Sequence, residues 1–267
     1  MAGRFSGVKA IYFDLDDTLC GYWTAAKIGL NRTFADNPDH GRTVEQMLRH
    51  WSDEFTEFGA TMGSSTWYPQ YCKSGETTRE ELMRRVLERI GIYDLELVRR
   101  LSHTYYVERH AALELFPEAM EVLETLHGRY PMGLITNGPA DIQRQEIETC
   151  QIERFFDHIF IEGEMGFGKP NPEVTRRATE AMGVEPHEVL MVGNSYKHDM
   201  VPAIEGGWRT AWIRKPTDVA PSSKTGKPEE LPSGAIAPDL IINDLRELLP
   251  ELNLSSQTQP SALSARD

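Results

Sequence analysis

The chain has 267 residues, enough for one large domain or for a domain carrying an inserted smaller one. Hydrophobic residues make up 40% and charged residues 26%, ordinary for a soluble globular protein. The formal net charge of −13 argues against a general electrostatic hold on nucleic acid or an anionic membrane. It leaves room for a small anionic substrate, because a metal ion or a few lysines reverse the field locally.

In chain order, Val8 to Phe13 is apolar apart from one lysine and reads as a short buried strand. It leads directly into Asp14, Asp16 and Asp17, three acids within four positions. From Thr24 to about Leu113 helical spacing dominates and no strand pattern occurs. "TVEQMLRHWSDEFTEF", "TREELMRRVLERIG" and "LELVRRLSHTYYVERHAAL" are its predicted helices. In the second, Thr78 stands three residues before Glu81, the spacing of a capping box. From Pro117 onward helices and strands alternate. "PEAMEVLETLHGRY", "DIQRQEIETCQI", "PEVTRRATEAMG" and "HDMVPAIEGG" are helices; "MGLITNG", "HIFIEGEM", "EVLMVGNS" and "RTAWIRK" hold strands; "DLIINDLRELLPEL" is a last strand running into a helix. Such alternation implies a parallel sheet with crossover helices, whose ligands bind outside the carboxyl ends of the strands.

Pro216 to Pro238 is rich in Pro, Ser, Gly and Lys and reads as an extended surface loop; "SSQTQPSALSARD" lacks periodicity and is expected to be disordered. Cys20, Cys72 and Cys150 are few, odd in number and without CxxC spacing, which disfavours a disulfide framework and a zinc site and fits a reducing interior. "MAGRFSGVKA" lacks the apolar stretch of a signal peptide, and no run approaches the roughly 18 apolar residues that span a membrane. The expectation is a soluble, cytoplasmic protein without nucleic-acid or membrane partners. Its oligomeric state is not readable.

Four polar groups fall at the predicted strand ends: Asp14 with Asp16, Thr136-Asn137-Gly138, Lys169 in "GFGKPNP", and Asn194 with Asp199 in "VGNSYKHD". In a doubly wound sheet all four converge on one edge. Read singly, each has a plainer meaning: a solvated acidic turn, a common strand-end turn, a surface lysine, a helix cap and an exposed helix acid.

Together and in this order, "DLDDT", "ITNG", "GKPNP" and "VGNSYKHD" resemble the four motifs of the haloacid dehalogenase (HAD) superfamily, and the helical stretch resembles its C1-type cap. The resemblance covers about 8–22 and 112–250. It implies an α/β fold: a doubly wound, Rossmann-like parallel-sheet core from residues 1–22 and 112–252, with an inserted all-α cap at 23–111; the aperiodic remainder, 253–267, is expected to be a disordered tail. It further implies a Mg²⁺-dependent phosphatase acting on a small phosphorylated metabolite.

A carboxylate can attack phosphorus, and Asp14 is the candidate nucleophile. Residues two apart on an extended segment share a side, so Asp16 faces the leaving oxygen beside it. The resemblance makes Asp16 general acid and then general base. A phosphate facing two carboxylates needs a cation between them, and the family uses Mg²⁺. The implied ligands are the Asp14 carboxylate, the Asp16 carbonyl and Asn194, with Asp199 serving the metal site or positioning Lys169. Thr136 is expected to donate to the phosphoryl group, the Asn137 amide to add a donor, and Lys169 to neutralise phosphate charge and steady Asp14. Asn194 departs from the pattern, since family phosphatases usually carry Asp there. An amide oxygen still coordinates Mg²⁺ but brings no charge.

Asp17 is expected to point away from the site. Tyr22, Trp23, Trp67, Tyr68 and Tyr71 are expected to pack within the helical bundle, Cys20 to be a small buried residue, and His198 to be exposed. The competing functions are a hydrolytic dehalogenase, against which Asp16 argues; a phosphomutase; and a phosphate-binding relative without turnover, motivated only by Asn194.

Overall fold

The computed structural model describes residues 3–63 and 66–254. Of the expected disordered tail, 255–267 lies outside the described residues. Asn253 and Leu254 are ordered: Asn253 Oδ1 accepts from Gly3 N at 2.7 Å, and Leu254 N donates to Leu249 O at 2.7 Å.

Six parallel strands form one sheet in the order β3-β2-β1-β4-β5-β6. They are β1 Ala10–Phe13, β2 Met132–Thr136, β3 His158–Ile161, β4 Val189–Gly193, β5 Arg209–Ile213 and β6 Leu240–Ile242. Phe13 lies opposite Leu134 of β2 and Val192 of β4. The chain therefore leaves β1 toward one edge and returns on its other side. The crevice between β1 and β4 is the switch point where such sheets bind ligands.

Both faces of the sheet are covered, which is why its strands read as unbroken apolar runs. Ile11 and Phe13 join Leu134, Leu190 and Val192 in one core layer, closed by α6 (Ala119–Leu126), α7 (Ala140–Thr149) and α11 (Leu248–Glu251). Tyr12 points the other way, with Ile135, Met191 and Trp212, against α9 (Pro172–Met182) and α10 (Val201–Glu205). The four-residue α8 (Glu162–Met165) follows β3 directly, so the predicted strand "HIFIEGEM" turns into a helix halfway.

Between β1 and β2 the chain makes α1 (Tyr22–Asp36), α2 (Val44–Met62), α3 (Tyr68–Lys73), α4 (Gly75–Arg89) and α5 (Leu95–Ala111). These helices share their own core of Leu30, Phe34, Met47, Trp51, Met83, Leu87 and Leu101, as expected of an inserted helical cap. The predicted capping box at Thr78 and Glu81 does not form. Ser74 caps α4 earlier by accepting from Glu76 N, Thr78 donates its hydroxyl to Gly75 O, and Glu81 takes ion pairs from Arg84 and Arg85. A capping box does form on α2, where Thr43 and Gln46 exchange side-chain-to-backbone bonds of 3.2 and 2.9 Å.

Candidate active site

Asp14 is the last residue that β1 holds in the sheet, its N–H donating to Val192 O at 2.9 Å. The chain then turns tightly, Leu19 N closing onto Leu15 O at 2.8 Å. Asp17 takes a left-handed backbone (φ 57°), and its carboxylate accepts from Trp23 N in the first turn of α1. It thus shapes the turn and leaves the crevice to Asp14 and Asp16. Burial, followed by the nearby Asp218, pushes the Asp17 carboxyl up to about 8.

Lys169 ties three strand ends together. Its ammonium donates to Asp14 Oδ1 at 2.6 Å, Asp199 Oδ1 at 2.5 Å and Ile135 O at 2.8 Å, using all three protons. Asn137 fixes the lysine's main chain, with Nδ2 donating to Lys169 O at 2.7 Å and Oδ1 accepting from Lys169 N at 2.8 Å. Burial alone would lower the ammonium pKa; Asp14 and Asp199 outweigh it and raise it. Asp199 reaches this position on a wide π-type turn, Tyr196–Met200, and its Oδ2 accepts from Ser195 N at 2.9 Å. Both of its oxygens are therefore engaged, and of the two expected roles the visible contact is with Lys169. The same turn brings His198 half inside, onto the wall of the site cavity, where the sequence reading had it exposed.

Asp14 and Asp16 sit in different environments. Burial raises the Asp14 carboxyl to about 6, with Lys169 pulling against that rise. Among the described residues no cation contacts Asp16; its Oδ2 accepts from Gln143 Nε2 at 3.2 Å and its Oδ1 from Cys20 Sγ at 3.9 Å. Burial first, then Glu146 and Asp14, hold its carboxyl well above the ordinary range. Gln143 is a hub that the sequence reading missed. Its Oε1 accepts from Thr136 Oγ1 at 2.5 Å, and its Nε2 also donates to Glu146 Oε2 at 3.0 Å. Glu146 is in turn paired with Arg109 at 2.5 Å. The Thr136 hydroxyl is thus committed to Gln143. The available signal was two polar residues, Gln143 and Glu146, interrupting the apolar stripe of Ile142 and Ile147 on α7.

The remaining Asp14 oxygen, Oδ2, accepts from Thr18 Oγ1 at 3.1 Å, and Asn194 Oδ1 lies 3.4 Å from the same hydroxyl. Asn194 Nδ2 donates to Asp218 Oδ2 at 2.9 Å, which turns the amide oxygen toward Asp14. Among the described residues no three His, Cys, Asp or Glu side chains cluster as metal ligands do. A cation here would rely on a different set: the Asp14 carboxylate, the Asp16 carbonyl and the Asn194 amide oxygen. All are hard oxygen donors, the chemistry that suits Mg²⁺. Asp218 comes from the loop read as mere surface, and no local pattern marked it.

A cavity of about 500 Å³ opens above Asp16 and the Asn137-Gly138 turn. Its far wall comes from the helical cap and includes Tyr22, Trp51, Phe55, Tyr71 and Arg79. Tyr22 and Tyr71, expected inside the bundle, line it instead. Trp23 packs edge-on against Phe55 at 5.8 Å, and Tyr68 crosses to the sheet side to donate to Glu162 Oε1 at 2.9 Å. Cys20 is fully buried, as expected.

Residues 8–207 match a family model described as haloacid dehalogenase-like hydrolase. The chain is 34% identical over 171 residues to a phosphoserine phosphatase of Thermus thermophilus, a match spanning 64% of this chain and 63% of that protein. It is 28% identical over 209 residues to a glyceraldehyde 3-phosphate phosphatase of Pyrococcus abyssi, covering 78% of this chain and 82% of the relative. Among solved structures, a putative HAD-hydrolase from Bacillus subtilis bound to magnesium superimposes with a TM-score of 0.69 at 19% identity, covering 92% of this chain and 99% of that one. At that identity the likeness concerns the fold.

Proposed function

Given that the chain belongs to the haloacid dehalogenase-like hydrolases, we propose that it is a Mg²⁺-dependent phosphatase acting on a small phosphate monoester, with Asp14 as nucleophile. The reading is carried by the unequal surroundings of two carboxylates two residues apart: Asp14 is gripped by the Lys169 ammonium, whereas Asp16 faces the cavity with only neutral donors on it among the described residues, the Gln143 amide and the Cys20 thiol. Two acids placed in contrasting environments at one site mark a division between nucleophile and acid/base. The names of the similar phosphatases support the same reaction class.

In the first half-reaction an Asp14 oxygen bonds to phosphorus as the ester P–O bond breaks, and Asp16 passes its proton to the leaving alkoxide. In the second, Asp16 takes a proton from the water that attacks phosphorus, the Asp14–P bond breaks, and inorganic phosphate and the free Asp14 carboxylate result. Lys169 keeps Asp14 aimed and offsets charge on the phosphoryl oxygens. Asn137 serves through the main chain of Lys169. Thr136 contributes to phosphate binding only by exchanging its bond to Gln143. Mg²⁺ held by Asp14, the Asp16 carbonyl and Asn194 would neutralise phosphate charge that two carboxylates otherwise repel. Asp199 is assigned to positioning Lys169.

Purified protein with Mg²⁺ is expected to release phosphate from 4-nitrophenyl phosphate, and Asp14→Asn to reduce this to background. Full turnover in that variant would overturn the assignment. Chloride release from a 2-haloacid without Mg²⁺ would favour the dehalogenase reading instead.

A further inference from the structure

The cavity above Asp16 is larger than a phosphate group requires, and its walls are uneven in charge. Two arginines reach it. Arg109 is neutralised by Glu146 at 2.5 Å. Arg79 makes no hydrogen bond or ion pair among the described residues, and its Nε is buried without a partner. Its guanidinium rests over the Tyr106 ring at 4.8 Å, which holds it in place without answering its charge. The acid across from it on α7, Asp141, is spent: its oxygens accept from Gly75 N, Ser74 Oγ and Ile142 N. Burial, then Arg109, lower the Arg79 pKa; Tyr105, Glu76 and Asp141 pull the other way from nearby without forming a hydrogen bond or ion pair with it. A second wall residue repeats the deficit. Trp51 is 1% exposed, and among the described residues its indole Nε1 has no acceptor. Both orphans are donors, so what completes the cavity is an acceptor, and beside a guanidinium an anion. The rest of the cap wall is aromatic and suits an apolar body.

We infer that this cavity selects phosphate esters whose alcohol portion carries a carboxylate on an apolar body, with Arg79 as the specificity-determining residue that binds it. The inference rests on the phosphatase reading for the reaction; binding can be tested apart from it. Phenyl phosphate and carboxyphenyl phosphate form a matched pair. With Mg²⁺ present, wild-type kcat/KM is expected to favour the carboxylated ester by roughly tenfold or more, the scale of one charge-assisted hydrogen bond, mostly through KM. Arg79→Met is expected to bring the ratio to about one, and Arg79→Lys to restore part of it. Because the readout is a ratio of two substrates on one protein, a partly misfolded variant does not distort it. The ratio of Kd values for the two esters, measured calorimetrically on Asp14→Asn, should show the same preference and lose it in Asp14→Asn/Arg79→Met. A ratio that ignores Arg79, a wild type that prefers the uncharged ester, or an Asp14→Asn protein that binds neither overturns the inference. If neither ester is hydrolysed by the wild type while the Kd ratio depends on Arg79, the phosphatase reading fails and the selectivity stands.

Discussion

At the scale of single residues, Asn194 stands out, an amide where the resemblance to the family's fourth motif leads one to expect an acid. An amide can present its nitrogen or its oxygen to a cation, and only the oxygen is useful. Asp218 settles that choice by accepting from Nδ2 at 2.9 Å. Burial raises Asp218 to about 6, with the bond from Asn194 opposing the rise. The pair therefore keeps an acid at this corner of the site but sets it behind the amide. Outer partners of this kind commonly change metal affinity by roughly 10–100-fold when removed. Asp218→Ala is accordingly expected to weaken Mg²⁺ binding about tenfold, read as the Mg²⁺ concentration that half-saturates thermal stabilisation of the protein. Asn194→Asp alone should not improve binding, because it sets two carboxylates against each other, whereas Asn194→Asp/Asp218→Asn exchanges the roles and should bind at least as well as wild type. Unchanged Mg²⁺ affinity in Asp218→Ala would detach the loop from the site. Asp14, Asp16, Lys169 and Asp199 were legible in the sequence because each closes or follows a strand in a recognisable motif. Asp218, Gln143 and Glu146 were not, because only the fold brings a loop acid or a helix stripe to the strand ends.

At the scale of elements, the sheet is legible for a physical reason: strands covered on both faces must be apolar throughout, and a short unbroken run between turns has few other readings. Cap boundaries are less legible, because several serines and threonines offer themselves as caps of one helix: Ser74 takes the cap of α4, and Thr78 falls inside it. Within the sheet one position has no freedom. Gly133 in β2 lies under the Tyr12 ring, and a Cβ there would fall 2.0 Å from Tyr12 Cε1. That ring cannot swing aside easily, because it stacks on Trp208 at 5.4 Å and its hydroxyl donates to Ala178 O at 2.8 Å. Gly133→Ala is therefore expected to cost about 1–3 kcal/mol in urea unfolding, the usual range for overpacking. Combined with Tyr12→Val, the loss should be smaller than the sum of the two single losses, since the second change removes the clash. Strict additivity would show that the ring is not the obstacle. The same reasoning applies to Gly193, whose Cβ would meet the Asp199 carboxylate at 2.4 Å and push it off Lys169.

At the scale of the whole molecule, the question is what joins the cap to the chemistry. One polar thread does so: Arg109 on α5 pairs with Glu146 on α7, Glu146 accepts from Gln143, and Gln143 donates to Asp16. The Arg109 and Glu146 side chains are 5% and 0% exposed, so neither charge has water to fall back on. Arg109 also lies over the Tyr22 ring at 5.1 Å, where α1 begins. Breaking a buried pair from one side commonly costs about 3–5 kcal/mol, while replacing both partners by apolar groups is often neutral. Arg109→Met and Glu146→Leu are each expected to lose stability on that scale in urea unfolding, and Arg109→Met/Glu146→Leu to recover most of it. Turnover should behave differently. With Glu146 gone, Gln143 loses the acceptor that fixes its amide, and Asp16 loses both a steady donor and the negative neighbour that helps keep its proton on. The double variant also removes Arg109, which lowers the Asp16 pKa, but Glu146 is the larger of the two influences. The variant is therefore expected to be stable yet slow, with kcat reduced at least tenfold and a lowered upper pH limit of activity, because a less raised Asp16 gives up its proton at lower pH. A double variant as unstable as the single ones would make the thread purely structural. One with wild-type kcat and pH profile would show that the cap does not act on Asp16 through it.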